Sequence, residues 1–369
     1  MTDREPAAAE ARRRMAQALE LARARRYRTS PNPTVGAVLV RDGEVVGEGS
    51  HEGPGLPHAE VVALERAGAR ALGATLYVSL EPCCHVGRTG PCVERIVAAK
   101  VAQVHCATLD PNPLVDGRGV AQLRGAGIPV VVGALEAEAK ELIREFSVWV
   151  RERRPWVTLK VAMSLDGKVA TAGGESQWIT SAPARARAHQ LRSQHDAVMV
   201  GSGTVLADDP RLSVRGERSP RQPLRVIADG RLRTPARARA LTAPGGPTVI
   251  ATRAGADALR AAELREAGAE VLELAAGADG VELAPLLALL ADRKVTSLLV
   301  EGGPTLLGSF WAARLGDRVA VFVAPLLLGG SHAPGPFGGE GAERLAAGWQ
   351  MAGLSAEAVG GDLLLTAEA

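Results

Sequence analysis

Aromatic residues make up only 3% of this 369-residue chain, and it has just four cysteines. So few cysteines over such a length build no disulfide framework. Charge of one sign is also missing: 43 Lys+Arg against 41 Asp+Glu leave a formal net charge of +2. That provides no broad basic field to hold nucleic acid by its phosphates, and no acidic tail. No stretch approaches the roughly 20 apolar residues of a membrane span, and the opening MTDREPAAAEARRRM lacks an apolar run of signal-peptide length. The expectation is a cytoplasmic protein with no nucleic-acid and no membrane partner. Lysine occurs five times and arginine supplies the rest of the basic residues, a skew that codon usage explains as readily as function does.

What is present is the patterning of a two-domain α/β protein, since one core rarely keeps growing beyond roughly 250–300 residues. Residues 5–26 read as an amphipathic helix with Met15, Leu19 and Ala22 at helical spacing. The runs VGAVLV and VVGEGS flank Asp42-Gly43, a strong hairpin signal. Thereafter strands and helices alternate, with a helix from His58, strand TLYVSL, a helix from Cys92, strand VHCATL, helix VAQLRGAG and strand IPVVVG. Alternation of this kind predicts a mostly parallel sheet covered on both faces. The stretch EAEAKELIREFSVWVRERR, ending at Pro155, reads as a charged helical segment and an exposed connector, and places the domain boundary near residue 150. Beyond it come WVTLKVAMS, DAVMVGSG, LRVIADG, PTVIATR, EVLELA, SLLVEGG and RVAVFVAP as further strands.

Three of the four cysteines, Cys83, Cys84 and Cys92, fall within ten residues. Together with His58 they point to metal or catalysis in a reducing compartment. His58-Ala59-Glu60 followed by Pro82-Cys83 and Pro91-Cys92 offers one imidazole and two thiolates, a donor set that suits zinc and leaves a fourth tetrahedral position for water. Zinc brings the pKa of such a water from 15.7 toward about 7. Glu60, two residues from the imidazole, is then placed to shuttle protons. The prolines put these groups at helix starts, where exposed N–H groups favour thiolate over thiol. By chemistry alone Cys84 and His85 rival the other ligands, whereas Cys106, inside an apolar strand, reads as a small buried hydrophobe.

The H-x-E…P-C pattern resembles the zinc-dependent cytidine and nucleobase deaminases, but eight residues rather than two separate Cys83 from Cys92. That wider segment, Glu81-Pro82-Cys83-Cys84-His85-Val86-Gly87-Arg88-Thr89-Gly90-Pro91-Cys92, resembles the bacterial bifunctional riboflavin-biosynthesis deaminase-reductase family, as do Ser30-Pro31-Asn32-Pro33-Thr34-Val35-Gly36 and Asp110-Pro111-Asn112-Pro113. The resemblance implies His58, Cys83 and Cys92 as ligands of one zinc per chain and Glu60 as proton donor. It makes Cys84, where the family usually has serine, a bystander. Leu142-Ile143 departs from the family's Leu-Asn in the connector.

No G-x-G-x-x-G fingerprint follows a strand in the second half. Instead Lys160–Lys168, Glu175–Thr180, Gly201–Thr204, Asp208–Leu212 and Glu301–Leu307 resemble the reductase half of the same family, whose fold is like dihydrofolate reductase. Glu301-Gly302-Gly303-Pro304-Thr305 follows an apolar strand and opens a helix, so small residues let backbone N–H groups approach a phosphate. Residue by residue, the resemblance implies NADPH contacts at Ala162, Trp178, Thr204, Asp208 and Gly303, Pro304, Thr305, Leu306, Leu307, Gly308 and Ser309. Substrate contacts are implied at Ser176, Arg192, Leu212, Arg215 and Glu301. Arginine suits that role because its planar fork can grip a phosphate bidentately. Arg253, after PTVIAT, is placed where a ribose 2′-phosphate could be met.

The resemblance therefore implies a cytidine-deaminase-like three-layer αβα domain over residues 1–150 and a dihydrofolate-reductase-like α/β domain over 151–369. The first would deaminate a diamino-pyrimidinone ribosylamine phosphate, and the second would reduce the ribosyl group of the product with NADPH. A homo-oligomer, dimer or tetramer, is expected. Two alternatives are a nucleobase or tRNA deaminase with a noncatalytic C-terminal domain, and a module in which zinc only staples the fold. The first lacks support in the P-C spacing, the surface charge and the second half; the open coordination beside a glutamate speaks against the second.

Overall fold

The structure, a computed structural model, describes residues 4–85, 90–215, 221–277 and 280–369. The motif residues Val86, Gly87, Arg88 and Thr89 lie outside the described residues. The chain divides into two compact units, Met1–Arg153 and Arg154–Ala369.

The first unit runs α1 (Arg4–Arg23), β1 (Gly36–Arg41), β2 (Glu44–Ser50), α2 (Ala59–Ala67), β3 (Thr75–Val78), α3 (Cys92–Ala98), β4 (Gln103–Cys106), α4 (Arg118–Gly125), β5 (Val130–Val132), α5 (Glu136–Leu142) and α6 (Arg144–Glu152). Its sheet has the order β2-β1-β3-β4-β5. Strand β1 is antiparallel to both neighbours, and β3, β4 and β5 are mutually parallel. The expected mostly parallel sheet is thus only half parallel here, because the Asp42-Gly43 turn folds the chain straight back. Both turn residues have positive φ, 52° and 82°, the geometry whose twist matches flanking strands.

Helix α1 buries Met15, Ala18, Leu19 and Ala22, one stripe at helical spacing, against Val38, Val40 and Tyr77. Helix α2 lies directly on β2. A Cβ at Gly47 would meet the Ala63 carbonyl oxygen at 2.2 Å, and one at Gly49 the Ala59 carbonyl oxygen at 2.2 Å. Glycine at these two strand positions lets the helix that carries His58 and Glu60 sit this close to the sheet. The stretch expected as a charged, helical and exposed connector is two helices broken at Ile143, and it is not simply exposed. Ala139, Leu142, Ile143 and Phe146 are buried, so the segment packs as part of the first unit. Most of its charges face outward, but Arg144 and Glu145 are largely buried and pair with each other, Glu145 also with Arg26.

The second unit continues with β6 (Trp156–Ser164), α7 (Ala182–Ser193), β7 (Ala197–Gly201), α8 (Ser202–Asp208), β8 (Leu224–Ala228), α9 (Arg239–Thr242), β9 (Thr248–Arg253), α10 (Ala258–Glu266), β10 (Ala269–Leu274), β11 (Ala276–Gly277), β12 (Gly280–Val281), α11 (Leu283–Asp292), β13 (Ser297–Val300), α12 (Pro304–Ala312), β14 (Arg318–Ala324), β15 (Ala352–Val359) and β16 (Asp362–Glu368). Among the described residues one sheet has the order β10-β9-β8-β7-β13-β6-β14-β16-β15, parallel from β10 to β14 and antiparallel beyond. The parallel strands read as unbroken apolar runs because both faces are covered. Phe310 and Leu286 fill one face, and Phe322, Leu191 and Ala184 the other. The C-terminal hairpin β15–β16 was not anticipated: residues 352–358 are all exposed and show no buried alternation to betray a strand.

Candidate active sites

In the first unit the chemistry gathers at the starts of two helices. His58 is the residue before α2; its side chain makes no capping hydrogen bond and turns toward Cys92, which opens α3 after Pro91. His58 Nδ1 lies 3.2 Å from Cys92 Sγ and 3.5 Å from Cys83 Sγ. The backbone N–H of Cys92 donates to Cys83 Sγ at 3.3 Å. All three ligand atoms fall within 4.8 Å of one another, and His58, Cys83 and Cys92 are the metal-holding group found among the described residues. Hydrogen bonds from Cys92, and then from His58, hold the Cys83 thiol well below the ordinary thiol range, which favours the thiolate that a metal needs. Two sulfurs and one imidazole converging in this way fit zinc.

Glu60, in the first turn of α2, is 3% exposed. Burial first, and the Cys83 charge second, push its carboxyl up to about 7, a value suited to moving a proton in either direction near neutrality. Cys84 turns away, its thiol directed to the Leu114 carbonyl at 3.9 Å. Neither Cys84 nor His85 joins the group. Cys106 is buried in β4, as a small hydrophobe would be.

Three polar side chains beside this group were not singled out from the sequence. The His51 ring meets that of His58 edge-on at 5.2 Å, takes the Asn32 amide on Nε2 at 2.9 Å and faces the Pro57 carbonyl from Nδ1 at 3.1 Å. Asp110 is buried near Cys83, and burial pushes its carboxyl up to about 7. Asn32 and Asp110 stand inside the motifs SPNPTVG and DPNP, which are the only signal that could have marked them. The Pro82-Cys83 turn is held from behind by Glu81, whose carboxylate accepts from the N–H groups of Asp110 (3.1 Å), Gly117 (2.9 Å) and Val120 (2.9 Å). A Cβ at Gly119 would meet the Pro82 carbonyl oxygen at 2.1 Å. Gly119→Ala is therefore expected to displace this turn, lowering stability by roughly 1–3 kcal/mol and weakening metal retention. Denaturant unfolding and metal analysis of the purified variant check both; unchanged values would show that the turn yields freely.

The second unit opens an extended cleft of ≈ 1380 Å³ along the C-terminal ends of its parallel strands. Ala162, Ser176, Trp178, Arg192, Thr204, Asp208, Leu212, Arg215, Glu301, Gly303, Pro304, Thr305, Leu306, Leu307 and Ser309 all line it. Gly308 does not: it faces the other way, where a Cβ would meet the Gly338 carbonyl oxygen at 2.2 Å, so its part is to let that loop pack on α12. Asp208 accepts from Gln177 Nε2 at 2.9 Å, and Arg185 stacks on the exposed Trp178 ring at 4.6 Å.

The structure alters the reading of Arg192. Its fork is already taken, with Nε and Nη2 donating to the two Glu301 oxygens at 2.9 and 3.0 Å and Nη1 donating to the Ser213 carbonyl at 2.7 Å. Arg215 is exposed at the cleft wall and is the freer cation for a phosphate. Lys160 on β6, the first residue of the Lys160–Lys168 motif, also lines the cleft, although it was not singled out as a site residue. Burial alone would raise the Glu301 carboxyl; Arg192 and then Lys160 outweigh it and hold it at about 2. A carboxyl lowered in this way contributes stability above its ordinary value of about 4.5, and loses it as pH falls toward 2. Glu301→Gln should thus cost roughly 3 kcal/mol near pH 7, because it strands the buried guanidinium. The difference should shrink as the pH is lowered below 4; a cost independent of pH would mean that the pair contributes little.

Two family descriptions match the chain: "RibD C-terminal domain" over residues 155–365, and "Cytidine and deoxycytidylate deaminase zinc-binding region" over residues 9–108. The riboflavin biosynthesis protein RibD of Aquifex aeolicus is 47% identical over 88% of this chain and 89% of its own length. That of Escherichia coli is 42% identical over 95% and 97%. The chain belongs to the RibD family. The solved RibD of Acinetobacter baumannii superposes with a TM-score of 0.88 at 39% identity, covering 98% of this chain and 99% of that one. The Thermotoga maritima deaminase/reductase gives 0.85 at 33% with the same coverage. As a RibD-family chain this is a bifunctional enzyme of riboflavin biosynthesis, a hydrolytic deaminase and a reductase, with zinc and NADPH as its cofactors. The expected deaminase-like and reductase-like α/β architecture holds. No helix among the described residues is long and apolar enough to cross a membrane.

Proposed function

We propose that the first unit deaminates 2,5-diamino-6-ribosylamino-4(3H)-pyrimidinone 5′-phosphate, and that the second reduces the ribosyl group of the resulting 5-amino-6-(5-phosphoribosylamino)uracil to the ribitylamino product. The observation that carries this reading is the convergence of His58, Cys83 and Cys92 with Glu60 buried against them, in a chain whose other unit holds a separate cation-lined cleft. The Thermotoga maritima relative is named a diaminohydroxyphosphoribosylaminopyrimidine deaminase/5-amino-6-(5-phosphoribosylamino)uracil reductase.

His58, Cys83 and Cys92 would hold the zinc, which when bound supplies a water acidic enough to ionise near neutrality. Glu60 accepts that proton and returns it to the departing amino group. Its raised proton affinity keeps it able to do both. His51, Asn32 and Asp110 offer polar atoms to the edges of the pyrimidine, and the burial of His51 and Asp110 leaves little water to compete.

In the second unit the reaction is hydride transfer, chemistry that belongs to the nicotinamide, and the chain's work is to orient. Ala162, Trp178, Thr204, Asp208 and the segment 303–309 flank the cofactor, with Gly308 shaping the helix rather than touching it. Ser176, Leu212, Arg215 and Glu301 contact the substrate. Arg215 takes the phosphate, and Arg192 holds Glu301 in place. Zinc chemistry belongs to residues 1–150 and reduction to 151–369. A reducing cytoplasm keeps the thiolates available. A homo-oligomer is also part of this reading, supported by the exposed edge strand β15. No nucleic-acid partner is needed.

The test is to incubate the purified, zinc-loaded chain with the diamino-pyrimidinone phosphate, following ammonia release and NADPH oxidation separately. Ammonia should appear without NADPH, and NADPH should be oxidised only once deaminated substrate is present. NADPH oxidation on the undeaminated substrate would reverse the proposed order.

A further inference from the structure

Two loops leave neighbouring strands at the cleft edge of the second unit. Strands β6 and β14 are parallel, with Ser164 opposite Ala324, so the segments 165–180 and 325–344 start side by side. The first brings Val169, Ala170, Ser176 and Trp178 into the cleft wall, and the second brings Pro334 and Pro336.

One side chain outside that wall ties the two loops together. Asp166 Oδ1 accepts from Ser164 Oγ at 2.6 Å and from the Leu328 N–H at 3.1 Å, and Oδ2 accepts from the Gly329 N–H at 2.7 Å. The chain turns around this carboxylate at Gly329 and Gly330, both at positive φ, 65° and 79°, a conformation open to residues without a Cβ. Ser164 first, and then the Gly329 and Leu328 N–H groups, hold the carboxyl at about 2, so it is ionised throughout the neutral range. Lys168 adds a second tie, with Nζ donating to the Ala333 carbonyl at 3.0 Å and its own N–H donating to Ser164 Oγ at 2.9 Å. Backbone bonds from Leu165 to the Leu326 carbonyl (2.8 Å) and from Val169 to the Pro334 carbonyl (3.0 Å) complete the seam.

The far end of the second loop reaches the start of α12. The Gly338 N–H donates to the Pro304 carbonyl at 2.9 Å, and a Cβ at Gly338 would come within 3.2 Å of that same oxygen. Segment 326–338 is thus a strap. One end is fixed to the loop that carries Ser176 and Trp178, and the other to the helix turn where Gly303, Pro304 and Thr305 line the cleft. Asp166 is exposed, so its removal uncovers no core and acts on the placing of these two walls.

We propose that Asp166 is a positioning residue of the reductase site, which through the strap sets loop 165–180 against the start of α12 and so holds nicotinamide and ribosyl group in register for hydride transfer. This rests on the reductase reading above. Transfer is steep in geometry, because the reacting atoms must be held about 3–3.5 Å apart, so a loosened wall costs rate before it costs stability.

The experiment uses the full-length, zinc-loaded chain with deaminated substrate supplied, and reads single-turnover hydride transfer at saturating NADPH, the emission of bound NADPH, ammonia release and the thermal midpoint. Asp166→Ala should slow hydride transfer about ten- to a hundredfold and move the emission of bound NADPH toward that of the free nucleotide, with ammonia release and thermal midpoint close to the parent's. Asp166→Asn should lose less, since the amide oxygen still accepts while its nitrogen cannot. Lys168→Met cuts the second tie and should give a smaller loss of the same kind. The double variant should lose less than the product of the two single losses, because both residues act on one strap. Parent-like hydride transfer in Asp166→Ala would overturn the proposal, and so would a loss that tracks a lowered thermal midpoint and recovers on cooling, the mark of a merely structural role. Should Asp166→Ala fail to fold, Asp166→Asn and Lys168→Met decide by the same readouts. No NADPH oxidation by the unaltered chain would instead overturn the reductase reading itself.

Discussion

Glu60→Gln should keep its zinc and its fold while ammonia release falls on the order of 10²–10⁴-fold, the usual worth of a positioned acid–base group. The amide preserves the shape of the buried side chain and removes only its capacity to carry a proton. Reduction of substrate that is already deaminated should continue at the parent rate, because the residues lining the reductase cleft all lie beyond residue 159. A second readout comes from stability in metal-free protein. Burial and the Cys83 charge raise the folded carboxyl to about 7 from an ordinary 4.5, so the folded chain binds the extra proton, and the parent loses stability as pH rises between those values. The glutamine variant does not titrate. Its stability relative to the parent should therefore grow from about pH 4.5 to pH 7 and level off above. Near-normal ammonia release from a homogeneous preparation would remove Glu60 from the mechanism.

Loss of a thiolate should have an equally large effect on the metal. Cys83→Ser and Cys92→Ser each replace a soft donor with a hydroxyl that stays protonated at neutral pH, and zinc content should drop from one per chain to near none, with deamination lost alongside. Cys84→Ser should keep both, since that thiol faces the Leu114 carbonyl and lies outside the group of three. Metal analysis of the three purified variants decides it. If Cys84→Ser lost zinc while Cys83→Ser retained it, the ligand set would be wrong.

These expectations draw unequally on sequence and on structure. The metal site was legible because its parts are short local motifs: His58 and Glu60 share one helix turn, and each cysteine follows a proline that starts a turn or a helix. Strands were legible where burial on both faces makes continuous apolar runs, as in SLLV and AVMV. The C-terminal hairpin was not, because AGLSAEAV is exposed along seven residues and has no alternation for a core to impose. Likewise the charged segment 136–152 reads as a connector by composition, yet four apolar side chains among its charges dock it onto the first unit.

Local motifs by themselves determined part of the chemical class of this protein, a zinc-type donor set beside a glutamate, while the strand-to-helix glycine turn pointed to a phosphate-bearing cofactor only together with the family resemblance. Both reside in residue types and spacings of a dozen positions or fewer, which the chain cannot alter by folding differently. The pairing of Arg192 with Glu301 across 109 residues was decided only in three dimensions, as was the closeness of His51 to His58. These follow from which strands lie side by side, and strand order depends on burial summed over the whole sheet rather than on any local run of residues.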